Sequence, residues 1–185
     1  MRILFAGASG VLGRATLPHL QGHDVTGLTR SSARVQVIRE LGAEAAVCDV
    51  YDYHALLSLA QAVKPQILVN FVTDLASGSA AANSRVRREG GENLIDTAKA
   101  AGASRLVVES VAFALEGDAA LAVGQLEHST RAFAGDALIL RFGRLWGPGT
   151  FHESPPRPPA VHIDKAGAEA ALLLLEASSG TYVIA

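Results

Sequence analysis

Gly7, Gly10 and Gly13 recur every third residue between the strand-like run Arg2–Ala6 and a helix-like stretch that opens at Val11. Glycines at such a junction have a chemical use. Gly7 permits a tight turn, Gly10 lets backbone approach a pyrophosphate, and Gly13 lets the helix sit close against the strand. The start of the helix then offers free N–H groups and partial positive charge to the anion. Ser9, Val11 and Leu12 belong to the same turn and are expected to line it. A second group follows at Thr29, Arg30 and Ser31, with Arg34 close behind. An acidic residue at this point would accept the 2′-hydroxyl of a ribose, which arginine cannot do. A guanidinium suits a 2′-phosphate, with Ser31 and Arg34 as further donors, so NADP(H) is expected over NAD(H).

The elements that must position these groups alternate along the chain, strand then helix. That order predicts an α/β fold: one doubly wound parallel sheet of about seven strands with helices on both faces. Strands are expected at 2–6, 24–29, 44–48, 67–72, 105–109, 137–142 and 181–184. Helices are expected at 11–21, 31–41, 53–63, 82–101, 121–134 and 165–177. Gly22 and Gly42 act as stop signals. Residues 73–82 are expected to form a loop. Residues 155–159, Pro-Pro-Arg-Pro-Pro, read as a stiff surface connection. In such a sheet the strands' carboxyl ends face the ligand crevice. Phe71, Val72 and Thr73 after the fourth strand are therefore expected at the cofactor, and Thr73, Asp74 and Ser110 near the chemistry.

The 185 residues suffice for one domain with a sizeable core, expected to span 1–185. A formal net charge of -2 gives no electrostatic reason to expect nucleic acid or an anionic membrane as partner. Cys48 is the sole cysteine, which rules out an internal disulfide, and no metal site is expected. No apolar run is long enough to span a bilayer, so a cytoplasmic protein is expected.

The G-x-x-G-x-x-G spacing resembles the short-chain dehydrogenase/reductase superfamily, in its extended and atypical branches of epimerase/dehydratase-like and NmrA-like proteins. Later segments carry the resemblance on. Residues 90–95, Gly-Gly-Glu-Asn-Leu-Ile, resemble the branch's G-T-x-N-L-L. Residues 140–149 resemble its L-R-x-x-x-x-Y-G-P-G, and His162-Ile163-Asp164-Lys165 its H-V-D-D. The resemblance implies a Rossmann-type NAD(P)-binding domain, with Asp49 holding adenine and Val50 lining its ring. It also implies helix pairing between subunits, hence a homodimer built on the helices that carry Val86, Leu94, Ile95 and Ala98, and Leu121, Leu126 and Phe133.

The catalytic positions depart from the pattern. Members commonly carry Y-x-x-x-K, in which lysine lowers the tyrosine pKa and tyrosine moves the proton. Counted back from Glu127, those positions fall near Ala119 and Val123. Val111 falls at a usual serine, and Arg87 where asparagine is usual. Candidate replacements are Ser110, Thr73 and Asp74, with His128 as a possible proton shuttle. Asn83, Arg88, Arg144, Trp146 and His152 are candidates for substrate contact. Only 151–161 separate the G-P-G turn from His162, which implies a reduced C-terminal substrate-binding portion. The expected function is an NADP(H)-dependent reductase-like enzyme for a small organic molecule. A redox-neutral cyclase, dehydratase or isomerase, or a non-catalytic NADP sensor, fits the same residues.

Overall fold

Residues 1–75 and 78–185 are described by the computed structural model. Residues 76 and 77, part of the loop expected at 73–82, lie outside the described residues. Seven strands form one parallel sheet in the order β3-β2-β1-β4-β5-β6-β9. These are β1 (Arg2–Ala6), β2 (Asp24–Thr29), β3 (Glu44–Val47), β4 (Ile67–Asn70), β5 (Arg105–Val111), β6 (Asp136–Phe142) and β9 (Gly180–Ile184). The order reverses at β1, and that switch opens a crevice above the carboxyl ends of β1 and β4. This is the doubly wound Rossmann-type α/β fold expected.

Side chains that alternate along each strand feed two cores. Ile3, Phe5, Val69, Val107, Leu138 and Leu140 point to one face. There they meet α1 (Val11–Thr16) and α7 (Ile163–Glu176). Leu4, Ala6, Leu68, Leu106 and Val108 point to the other. That face is covered by α3 (Tyr53–Val63), α5 (Gly91–Ala100) and α6 (Gly117–Arg131), through Leu56, Leu94 and Leu126. Of the apolar residues on the two helices expected to pair between subunits, Leu121 alone stays exposed, at 70%. Leu94, Ile95, Ala98, Leu126 and Phe133 belong to this second core, and Val86 is buried at 4%.

Several boundaries differ from expectation for local reasons. The helix expected over 11–21 is α-helical only to Thr16 and tightens to a 3₁₀ turn at Leu17–Leu20, where Pro18 removes a donor. The short α2 (Val35–Glu40) follows a 3₁₀ turn at Ser32–Arg34. The helix expected from residue 82 starts earlier as α4 (Ala80–Arg85), because the Ser79 hydroxyl accepts the Ala82 N–H at 3.1 Å and caps it. A π-helical stretch, Val86–Gly90, then joins α4 to α5. Two strands were not anticipated. β7 (Arg144–Trp146) and β8 (Ala160–His162) pair in parallel beyond the end of β6.

Candidate functional site

The glycine turn is built as its spacing implies. Gly7 has φ +90°, and a side chain there would meet the Phe71 carbonyl oxygen at 2.5 Å. A Cβ on Gly13 would press on the Gly7 carbonyl oxygen and on Ala8 backbone. Backbone therefore encloses the turn, and no side chain fills it. Gly10 caps α1 without a side chain to occupy the N–H groups of the first turn. These features fit a dinucleotide pyrophosphate. Leu12 is 8% exposed and belongs to the core, while Val11 packs against it. Both offer the crevice mainly backbone. Ser9 Oγ donates to Thr29 Oγ1 at 3.2 Å, which ties the turn to the end of β2.

The Thr29 hydroxyl oxygen also accepts the Ser31 N–H at 3.2 Å, holding the chain as it leaves β2. Arg30 is 65% exposed at its side chain and reaches across the turn to Asp74, Nη2 to Oδ1 3.4 Å. Arg34 Nη1 donates to the Ser9 carbonyl at 3.4 Å. Arg30 and Arg34 thus both reach back across the turn, Arg30 to an acid from β4's side of the crevice and Arg34 to the turn's own backbone, while Ser31 is held through its backbone. Asp49 Oδ1 accepts the Tyr51 N–H at 3.0 Å and shapes its own turn, while Asp52 caps α3 through Ala55 N–H at 3.0 Å. Val50 is fixed by Asn93 Nδ2, which donates to its carbonyl at 2.9 Å.

Beyond β4, Phe71 turns its ring into the core, edge-on to Phe5 and Phe142 at 5.2 and 5.8 Å. Only its backbone faces Gly7. Val72 N–H is held by Asn70 Oδ1 at 3.1 Å, which places Thr73 half-buried at the crevice. Asp74 N–H donates to Asn83 Oδ1 at 2.9 Å, so Asn83 supports the loop. Arg88 is paired with Asp118 at the start of α6. Arg144 stacks over the Phe113 ring at 4.3 Å, Trp146 meets the His162 ring at 4.5 Å, and the His152 carbonyl accepts the Gly147 N–H at 2.8 Å. The expected substrate residues therefore divide. Asn83 and Arg88 sit on the long helix, and Arg144, Trp146 and His152 cluster around β7.

Ser110 departs most from its expected role. It is fully buried, and its hydroxyl donates to Glu127 Oε1 at 2.7 Å. Glu127 is the hub of a charged network. Arg141 Nε donates to Oε1 at 2.8 Å and Arg141 Nη2 to Oε2 at 2.6 Å, while Arg131 Nη2 reaches Oε2 at 2.7 Å. Burial alone would raise the Glu127 pKa. The donors from Arg141, Ser110 and Arg131 outweigh it and bring the group down to about 2. A hydroxyl given to a carboxylate in this way is a brace between β5, β6 and α6, and the crevice does not receive it.

Sequence reasoning missed a second buried pair. Arg87, on the π-helical stretch, donates through Nη2 to Glu109 Oε1 at 3.1 Å and through Nη1 to the Glu109 carbonyl at 3.4 Å. The side chains are 5% and 11% exposed. The available signal was a charge inside an apolar strand, in Leu-Val-Val-Glu-Ser-Val and again in Leu-Ile-Leu-Arg-Phe. Such charges persist in a core only when paired.

Neither Ala119 nor Val123, near which the sequence count puts the usual acid–base pair, can donate a proton from its side chain. A cavity of about 350 Å³ opens beside them, lined by Val111, Phe113, Ala120, Val123, Arg141 and Val183 among others. A larger hollow of about 630 Å³ lies at the opposite edge of the sheet, around Arg2, Lys64 and Gly102, away from the glycine turn. Among the described residues no helix is long and apolar enough to cross a membrane.

Comparison with known proteins agrees with this geometry. Residues 7–138 match a protein family described as NAD(P)H-binding. A curated 3-diazoavenalumate denitrifying reductase from a Streptomyces species is 34% identical, with the match covering 81% of this chain and 58% of that protein. The chain thus spans a little over half the length of this curated relative. Among solved structures, the UDP-glucose 4-epimerase of Thermus thermophilus in complex with NAD superposes with a TM-score of 0.81 at 16% identity, covering 100% of this chain and 77% of that one. The UDP-Glc/GlcNAc 4-epimerase of Campylobacter jejuni gives 0.82 at 14% identity, covering 98% and 77%. These likenesses establish the fold.

Proposed function

This chain belongs to the NAD(P)H-binding family, and we propose that it is an NADP(H)-dependent reductase whose reaction takes no proton from a protein side chain. The observation that carries the cofactor half is the backbone-walled glycine turn with Arg30 and Arg34 beside it. Arg30 would exchange Asp74 for the ribose phosphate. The contact it gives up is long, at 3.4 Å, and the Arg30 end is 65% exposed although Asp74 is only 14% exposed. Bound NADPH supplies a hydride.

The protein's own contribution follows from what it lacks. With Ala119 and Val123 near the acid–base positions and Ser110 committed to Glu127, a ketone's developing alkoxide would lack the tyrosine and serine donors that the resemblance implies. An acceptor that carries its own electron sink needs none. In an arenediazonium ion, hydride adds to the ring carbon, the carbon–nitrogen bond breaks, and its electron pair leaves with dinitrogen. The reductase relative is named for a diazo compound, which supports this substrate class. The cavity beside Val111 is apolar except for Arg141 and Glu127. It suits a flat organic acid better than a sugar, whose hydroxyls would find few partners there.

The test is NADPH fluorescence on addition of arenediazonium carboxylates, with product analysis after use of NADPH deuterated at the transferred position. Cofactor loss with deuterium on the ring carbon that bore nitrogen is the expected result. Decay of the diazo compound at the same rate with and without protein would sink the proposal.

A further inference from the structure

The cavity beside α6 holds one polar group that the fold does not use up. Among the described residues that line it, only Glu127 and Arg141 are charged, and the rest are apolar. The two are not equally committed. The Glu127 side chain is 6% exposed, and each of its oxygens already accepts two donors. The Arg141 side chain is 39% exposed and gives Glu127 only Nε and Nη2. A guanidinium has a third nitrogen with two further N–H groups. Among the described residues the side-chain atoms buried without a partner are Thr97 Oγ1 and Glu109 Oε2 alone. Arg141 Nη1, which bonds to neither Glu127 oxygen, is therefore not shut off from solvent.

Charge points the same way. Arg131 and Arg141 both pair with the one carboxylate of Glu127, so this network carries an excess of positive charge. Arg131 does not line the cavity, and Arg141 does. Arg141 stands in register with Ser110 on β5 and Val183 on β9, on the far side of β5 from the glycine turn. A molecule held at Arg141 has Val111, Phe113 and Val123 for its apolar body. Its other end then extends toward β5, the side from which a cofactor seated on β1 approaches.

We propose that Arg141 Nη1 is the anchor of this cavity for a carboxylate, and that the ligand is an aryl carboxylate bound with its acid group at Arg141 and its ring against Val111, Phe113 and Val123. This rests on the substrate reading above and deepens it. One guanidinium then serves twice: one edge braces Glu127, and the remaining nitrogen selects the substrate.

Chemical-shift titration of the isotope-labelled protein with 4-ethylbenzoate and the isosteric 4-ethylbenzamide tests it without cofactor or turnover. In the wild type the backbone signals of residues 111–113 and 183 should shift. The benzoate should bind about tenfold more tightly than the benzamide, the scale of one hydrogen bond between charged groups. In Arg141→Lys the ammonium stays with Glu127 and the third nitrogen is gone. The preference for the acid should then fall to within about twofold, with the benzamide's own affinity changed by no more than about twofold. The Glu127→Gln/Arg141→Gln double variant removes both charges together and leaves Ser110 an acceptor, and it should lose the same preference if the lysine variant does not fold. Equal binding of acid and amide by the wild type overturns the inference. So does a failure of both to bind at millimolar concentration, a set of shifts away from the cavity, or a preference that survives in a folded variant. An Arg141-dependent preference without reduction of arenediazonium carboxylates leaves the anchor standing and removes the reductase reading. Reduction without any preference for the acid does the reverse.

Discussion

The β1–β2 half of the crevice and the β5–β6 half are built from different materials. Around Gly7, Gly10 and Gly13 the chain makes its site by leaving side chains out, so that carbonyls and N–H groups form the walls. Around β5 and β6 it brings in charge: Glu109 with Arg87, and Glu127 with Ser110, Arg131 and Arg141. A backbone site tolerates almost no substitution at its glycines, because the clash is with atoms that cannot move. A side-chain site can be rewritten residue by residue, provided that charges change in pairs. Side chains around β5 and β6 can therefore vary while the glycine turn stays fixed.

The comparison can be broken at four points of decreasing effect. Glu127→Ala should be the most damaging, because it takes a buried acceptor from the Ser110 hydroxyl and from two guanidiniums that are themselves 51% and 39% exposed. A loss of about 2–3 kcal/mol in denaturant unfolding is expected. A loss below 1 kcal/mol would show that the network is not structural. Acid should reproduce part of this. Glu127 is depressed from 4.5 to about 2 in the folded protein. Its contribution is therefore complete above about pH 4.5 and is lost as pH falls toward 2. That is about 3 kcal/mol over the window by linkage, and Glu127→Gln should flatten that part of the stability–pH curve.

Gly13→Ala comes next on the backbone side. The new Cβ meets the Gly7 carbonyl and Ala8 backbone, so about 1–3 kcal/mol of overpacking is expected together with loss of NADP(H) binding. A variant with normal melting and normal cofactor affinity would refute the account of the turn. Arg30→Ala should cost about 1–3 kcal/mol in NADP(H) affinity and leave NAD(H) nearly unchanged. Equal affinities for the two cofactors in the wild type would remove Arg30 from its role. The smallest effects are expected at Tyr51, Tyr53 and Tyr182, whose single replacement by Phe should leave turnover within a few fold. A collapse at any of them, with normal folding, would reveal a proton donor.

The same division governs what could be read from residues alone. The glycine turn and the alternation of strands and helices along the chain were legible because each depends on local spacing. α3 was legible to the residue because Asp52 caps it and Lys64, at φ 51°, closes it. β7 and β8 were not, since three-residue strands in a Gly- and Pro-rich stretch carry no periodicity and exist through pairing between distant segments. Ser110 was legible as a crevice-edge residue but not as a brace. Its partner Glu127 lies on α6, and only tertiary packing brings the two to 2.7 Å. Arg87 and Glu109 are 22 residues apart and were invisible as a pair for the same reason.

The π-helical stretch at Val86–Gly90 makes the long helix sensitive to changes of length as well as of residue type. A π turn holds about one residue more than an α turn, and one residue corresponds to about 100° of rotation. Removal of one residue there would restore regular hydrogen bonding. Either Ser84 would then leave its buried contacts near α6, or Leu94 and Ile95 would leave the core, with Arg87 swung away from Glu109 in between. This segment of the chain can therefore vary by substitution far more readily than by deletion, although it lies within a helix that would be smoother without its extra residue.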